Sequence, residues 1–264
     1  MKSLVTALIL SASALTLTPP AALAQATAPA VKPAATRNVV LVHGAFADGS
    51  GWRKVYDTLS ARGYRVTIVQ NPLTSFEDDV AATRRALDRQ DGPAILVGHS
   101  WGGTVITEAG DHPRVRGLVY VSALSPDVGE TTAQQYQGYT TPPEFVIETT
   151  KDGFGYVKSD SFAAGFAADA TKADADFLNA SQAPINMASF EVKLQHAAWR
   201  TKPSWAVIAT DDKAFDQRML QSMAKRIGAK VTTVAASHAL FFTQPKVVSD
   251  VIDEAAHQAG STPR

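Results

Sequence analysis

The chain contains no cysteine among its 264 residues. That absence excludes a disulfide framework, a thiolate metal site and a cysteine nucleophile, so stability rests on the core alone. Net charge is absent too, since 25 lysines and arginines offset 25 aspartates and glutamates. A balanced chain offers no electrostatic reason to bind nucleic acid or an anionic membrane. There is no H-x-x-x-H spacing, carboxylate cluster or glycine-rich phosphate loop, so neither a metal ion nor any other cofactor is expected. One apolar run, Leu4 to Leu17, follows Lys2 and precedes Ala22-Leu23-Ala24. It is shorter than the roughly 20 residues a bilayer span needs. It reads as an export signal, residues 1–24, cut after Ala24, with an uncleaved N-terminal anchor as the alternative. The mature protein is then periplasmic or secreted, without a stable membrane anchor. Residues 25–37, rich in Ala, Pro and Thr, read as a disordered linker to a folded domain over 38–264.

What the chain does have is short apolar runs alternating with helical spacing. Strands are expected at 38–42, 64–69, 94–97, 115–122, 205–209 and 230–234, with helices at 52–62, 74–89, 102–110, 215–227 and 245–257. Runs of continuous rather than alternating apolar character imply a mostly parallel central sheet with helices on both faces, an α/β fold. Between about 127 and 200 no convincing strand is found. Helical stretches at 131–136, 161–168, 173–181 and 185–198 suggest an inserted helical cap.

Gly98-His99-Ser100-Trp101-Gly102-Gly103, entered from the apolar run Ala94-Ile95-Leu96-Val97, has the pattern of a sharp strand-to-helix turn that exposes a serine hydroxyl. Such a hydroxyl attacks only if a base takes its proton and a third group orients the base. Later strand ends supply His238 as base and the adjacent Asp211-Asp212 as orienting acid. Asp212 is favoured and Asp211 is left a turn role, with Asp216 and Asp127 more distant. Oxyanion donors are expected from the backbone of Trp101 and of the loop His43-Gly44-Ala45-Phe46, at Ala45 with Phe46 as alternative. His43 reads as a brace for that loop, a second base being the other reading. His112, His196 and His257 read as solvated or packed.

Val40-Leu41-Val42-His43-Gly44-Ala45-Phe46, the serine turn, Thr210-Asp211-Asp212-Lys213-Ala214-Phe215 and Ser237-His238 together resemble the α/β-hydrolase superfamily. The nearest branch is similar to plant methyl esterases, hydroxynitrile lyases and their bacterial esterase relatives. The resemblance runs from about Asn38 to the end and is weak across the cap. It implies the α/β-hydrolase fold, selects Asp212 as the acid, and implies a serine esterase acting on a small-molecule carboxylic ester through an acyl-enzyme. The chain departs from the lyases, which carry threonine at the Gly44 position and lysine at the Ala239 position. It departs from the methyl esterases, which typically carry methionine at Ala239. Phe46, Leu240, Tyr139, Phe145, Phe166 and Trp199 are candidate pocket walls, and a monomer or homodimer is expected. Carbon–carbon hydrolysis, perhydrolysis or lyase chemistry by the same triad is the alternative. A ligand-binding non-enzyme on the same scaffold is a third reading.

Overall fold

The structure, a computed structural model, describes residues 36–259. The expected export signal and most of the linker lie outside the described residues. From Thr36 onward the elements run β1 (Asn38–Val42), α1 (Arg53–Ala61), β2 (Arg65–Val69), α2 (Phe76–Asp88), β3 (Ala94–His99), α3 (Trp101–Ala109) and β4 (Val115–Val121). An insertion follows, with β5 (Ile147–Thr149), β6 (Phe154–Val157), α4 (Ser159–Phe166), α5 (Lys172–Ala180) and β7 (Ile185–Asn186). The main body resumes with β8 (Ser204–Ala209), α6 (Gln217–Arg226), β9 (Lys230–Val234), α7 (Leu240–Thr243) and α8 (Pro245–Gln258).

The body strands pair in the order β2-β1-β3-β4-β8-β9, every pair parallel. Strands β1, β3 and β8 are buried along their whole length, because helices cover the centre of the sheet. The edge strands β2 and β9 carry Arg65, Lys230 and threonines and stay partly exposed, which blunts edge-to-edge pairing. Local signals start the helices. The Ser75 hydroxyl accepts from Asp78 N–H at 3.0 Å, and Glu77, Asp78 and Asp79 occupy the first turn of α2. Pro245 opens α8. In a parallel sheet all strands end on the same side, so the segments after β1, β3, β4, β8 and β9 meet above it.

The insertion differs from the sequence expectation. It contains a three-stranded sheet, β5-β6-β7, where no strand is legible, and residues 185–198 are not a helix. That stretch spends its backbone on distant partners. Asn186 N–H donates to Leu73 O at 2.8 Å, Leu194 N–H to Glu130 O at 3.0 Å, and the N–H groups of Gln195 and His196 to the buried Glu108 carboxylate. These contacts outweigh its helical spacing.

Candidate active site

Strand β3 ends at His99 and α3 starts at Trp101, so Ser100 alone turns the chain. It does so at φ 53° and ψ −121°, a region L-residues rarely adopt. The surroundings hold it there. Ser100 N–H donates to Val121 O at 3.3 Å, and Ser100 O accepts from Gly103 N–H at 2.9 Å and Leu124 N–H at 3.2 Å. Side chains would not fit around it. A Cβ on Gly98 would lie 2.6 Å from the Gly102 carbonyl carbon, and one on Gly102 would lie 2.6 Å from Val42 O. Strand and helix therefore pass in direct backbone contact, as the motif predicts.

The loop after β1 rests on this turn. A Cβ at Gly44 would lie 2.8 Å from the Ser100 Cβ. The N–H groups of Ala45 and Trp101 donate to no other group among the described residues, Trp101 being the first residue of its helix. His43 braces the loop. Its Nε2 accepts from Asn71 N–H at 2.9 Å, which leaves the proton on Nδ1 facing Gly44 O at 2.9 Å, and Asn71 Nδ2 returns a hydrogen bond to His43 O. Burial depresses the His43 pKa and keeps the ring neutral.

Of the two adjacent aspartates, Asp211 is exposed and Asp212 is buried. Asp212 Oδ2 meets His238 Nδ1 at 2.8 Å, while Oδ1 accepts from Ala214 N–H at 2.8 Å and Phe215 N–H at 3.1 Å. Asp216 caps α6 and Asp127 pairs with Arg200. The His238 ring is boxed by Phe215 at 4.9 Å, Phe166 at 5.1 Å, Phe145 at 6.3 Å and His99 at 4.6 Å between centroids. His99 Nε2 donates to His238 O at 3.0 Å, and burial, reinforced by the His238 ring, holds His99 well below its usual pKa. The insertion holds the same loop: Phe166 O accepts from Ala239 N–H at 3.0 Å, and Ser237 donates to Asp169. Among the described residues the Ser100 hydroxyl makes no hydrogen bond, so the structure joins Asp212 to His238 but leaves the Ser100–His238 link open. The other histidines pair with carboxylates or backbone, His112 with Asp88, His196 with Glu108, and His257 with Asp253.

Ser100 lies on a small cavity of about 30 Å³, lined also by Ala45, Phe46, Trp101, Leu124, Tyr136, Phe145, Ile147, Phe190, Ala214 and Phe215. Phe46 and Phe145, two of the expected walls, line this cavity. The other four, Leu240, Phe166, Tyr139 and Trp199, are not among its lining residues. Leu240 is buried at the start of α7, and Phe166 stacks on Phe162 at 4.9 Å behind His238. Tyr139 lines a separate polar pocket with Glu130 and Arg226. The Trp199 indole donates to Pro126 O, and Arg200 and Arg226 lie over its ring. Their apolar or aromatic character was legible but their direction was not. Ala214 and Phe215, two and three residues after Asp212, could have been found from the turn that Asp212 caps. Phe190, Ile147, Tyr136 and Leu124 carried no such signal.

A sequence profile described as the alpha/beta hydrolase family matches residues 39–251. An alpha/beta hydrolase of Aspergillus novofumigatus is 25% identical over 84% of this chain and 97% of its own length. A carbendazim-hydrolysing esterase of Nocardioides is 36% identical over 36% of this chain and 45% of its own length. Among solved structures, a pyrethroid hydrolase of Sphingobium faniae superposes with a TM-score of 0.72 at 22% identity, covering 84% of this chain and 98% of the other. Polyneuridine aldehyde esterase gives 0.71 at 18%, covering 82% and 98%. These structural likenesses show a shared fold.

Proposed function

We propose that this chain, which belongs to the alpha/beta hydrolase family, is a serine esterase that cleaves a small carboxylic ester through an acyl-enzyme. The observation that carries the reading is the buried Asp212–His238 pair, with its Nδ1–Oδ2 distance of 2.8 Å, beside the strained Ser100 turn. Relatives named as an esterase and as a pyrethroid hydrolase support hydrolysis as the reaction class. In the proposed cycle Ser100 Oγ attacks the ester carbonyl and its proton passes to His238 Nε2. The tetrahedral oxyanion takes hydrogen bonds from the unused N–H groups of Ala45 and Trp101, each donor of this kind being worth about 10²–10³ in rate. Asp212 keeps the imidazole proton on Nδ1, so Nε2 presents its lone pair to the serine. His238 then returns the proton to the leaving alkoxide. Water, deprotonated by His238, attacks the acyl-enzyme and frees the acid. The open Ser100–His238 link should tighten when substrate arrives, as catalytic hydrogen bonds commonly do.

Lyase chemistry fits less well. Ala239, fully buried, supplies no cation beside His238 for an anionic leaving group. The export signal read in residues 1–24 assigns the activity to the periplasm or the medium. A fluorophosphonate probe tests the core of the proposal. Mass spectrometry should find the adduct on Ser100, and Ser100→Ala should abolish both labelling and turnover. An adduct elsewhere, or esterase activity retained by Ser100→Ala, would refute it.

A further inference from the structure

Asp79 is a carboxylate with no solvent exposure, lying outside the triad on α2. Its Oδ2 accepts from the Trp101 indole N–H at 2.8 Å and its Oδ1 from Leu73 N–H at 2.8 Å. Burial pushes the carboxyl up to about 6, against those two hydrogen bonds, and neighbouring Asp78 adds to the rise. A buried acid of this kind is costly unless its partners need it. Both partners lead to the cavity beside Ser100. Trp101 lines that cavity and faces Phe190, ring centroids 4.9 Å apart and planes 32° apart. Leu73, at φ 59°, accepts at its carbonyl from Asn186 N–H at 2.8 Å, and Thr74 O accepts from Asn186 Nδ2 at 3.0 Å. Asn186 in turn caps the short turn that carries Phe190 by accepting from Ala188 N–H. One carboxylate therefore sets the ring on the body side of the cavity directly, and the ring on the insertion side through Leu73.

We propose that Asp79 is a positioning residue that holds Trp101 and Phe190 against each other as a rigid pair of rings on the cavity, selecting esters of planar aromatic acids over esters of small aliphatic ones. The inference rests on the esterase reading above and adds its substrate class. The indole N–H is spent on Asp79, so Trp101, packed against Phe190, offers the cavity apolar ring surface and no side-chain hydrogen bond. An aromatic acyl group gains most beside such a pair, through edge-to-face contact that a small aliphatic group does not make. Asp79 acts through Trp101 and touches no substrate atom.

The test compares p-nitrophenyl benzoate with p-nitrophenyl acetate. In Asp79→Asn the amide can accept from only one of the two N–H donors and turns its own NH₂ on the other. The benzoate-to-acetate ratio of kcat/KM should fall at least about fivefold, mainly through the benzoate KM. In a Trp101→Phe background, where no indole N–H remains to be held, Asp79→Asn should change the ratio less than about twofold. Phe190→Leu, which leaves Asp79 untouched, should lower the ratio as Asp79→Asn does, and it serves if the Asp79 variant does not fold. Equal losses on both esters, or the same effect of Asp79→Asn with and without the indole, would make Asp79 merely structural and overturn the proposal. Near-UV circular dichroism supplies a readout free of turnover. Asp79→Asn should remove the same Trp101 component that Trp101→Phe removes, at unchanged far-UV signal, and an unchanged near-UV spectrum refutes the pairing. If the wild type cleaves neither ester and Ser100 takes no probe, the esterase reading fails and the substrate selection with it. The near-UV comparison then decides the Asp79–Trp101 pairing by itself.

Discussion

Asp212→Asn should cost about 10⁴ in kcat while leaving the fold intact, and the hydrogen-bond pattern shows why. Asp212 Oδ1 accepts two backbone N–H groups, from Ala214 and Phe215, and Oδ2 faces His238 Nδ1. An asparagine has one accepting end and one donating end. The two backbone donors claim the oxygen, so the NH₂ turns toward His238 Nδ1. A donor facing Nδ1 is tolerated only if that nitrogen is bare, which moves the imidazole proton to Nε2. That is the atom required to take the Ser100 proton. At about 1.36 kcal/mol per factor of ten, the loss amounts to roughly 5.4 kcal/mol of transition-state stabilisation. Stability changes little, because the turn keeps its acceptor. The assay is steady-state hydrolysis of a p-nitrophenyl ester by purified variants, with a thermal melt of each. Asp211 is exposed, and Asp211→Asn should remain within about twofold of wild type. The reasoning is refuted if Asp212→Asn keeps more than a tenth of the activity, or if Asp211→Asn falls as far.

Ser100→Gly should be inactive yet more stable than wild type by about 1 kcal/mol, since glycine relieves about 1–3 kcal/mol of strain at φ 53° and loses part of it to backbone entropy; a lower melting temperature would count against strain at the turn. Gly103→Ala should lose about 1–3 kcal/mol of stability and most of its turnover, because the new Cβ would lie 2.7 Å from Ala123 Cβ and against Leu124 O, beside the Leu124–Ser100 hydrogen bond. Acid should destabilise the protein. His43 and His99 stay neutral in the fold but take up protons when unfolded below about pH 6.5, each lowering stability by up to about 1.4 kcal/mol per pH unit. Asp79 has the opposite sign, because its pKa near 6 in the fold lies above the unfolded value. The fold therefore gains as Asp79 protonates between pH 6 and 4. Melts from pH 6.5 to 4.5 should show a falling midpoint, steeper in Asp79→Asn, which lacks that offset; a midpoint independent of pH would contradict the neutral histidines.

The body of the molecule was readable because its signals are local. A strand such as Val39-Val40-Leu41-Val42, buried throughout, announces itself by composition, and the serine turn by the glycines its close backbone contacts require. The choice between Asp211 and Asp212 was open from the residues alone, since adjacent positions differ only in the direction their side chains take. The resemblance selected Asp212, and the structure puts that side chain, buried, against His238. The insertion was read only in part: α4 and α5 fall where helices were expected, and the strands were missed for a different reason. Strands β5 and β7 span three and two residues, too few to show a period, and exist only through pairing with β6. Phe190 reaches the cavity because Asn186 is tied to Leu73 and Thr74, a contact across 112 residues that no local pattern encodes.

The insertion and the body share the site in a way that limits how substrate enters. A cavity of about 30 Å³ has room for two or three waters, so an ester must displace part of its lining. The insertion cannot swing away as a unit without disturbing His238, since Phe166 O and Asp169 hold Ala239 and Ser237 on either side of it. Nor can the turn bearing Phe190 leave freely, since Asn186 is anchored to Leu73 and Thr74. The remaining wall from the insertion is Phe145 and Ile147, with Tyr136 beside them. Strand β5, which begins at Ile147, is exposed along its length and pairs with β6 alone. Its displacement breaks none of the ties around His238 and Phe190, so a substrate should enter between Phe145 and Ile147 while those ties stay closed.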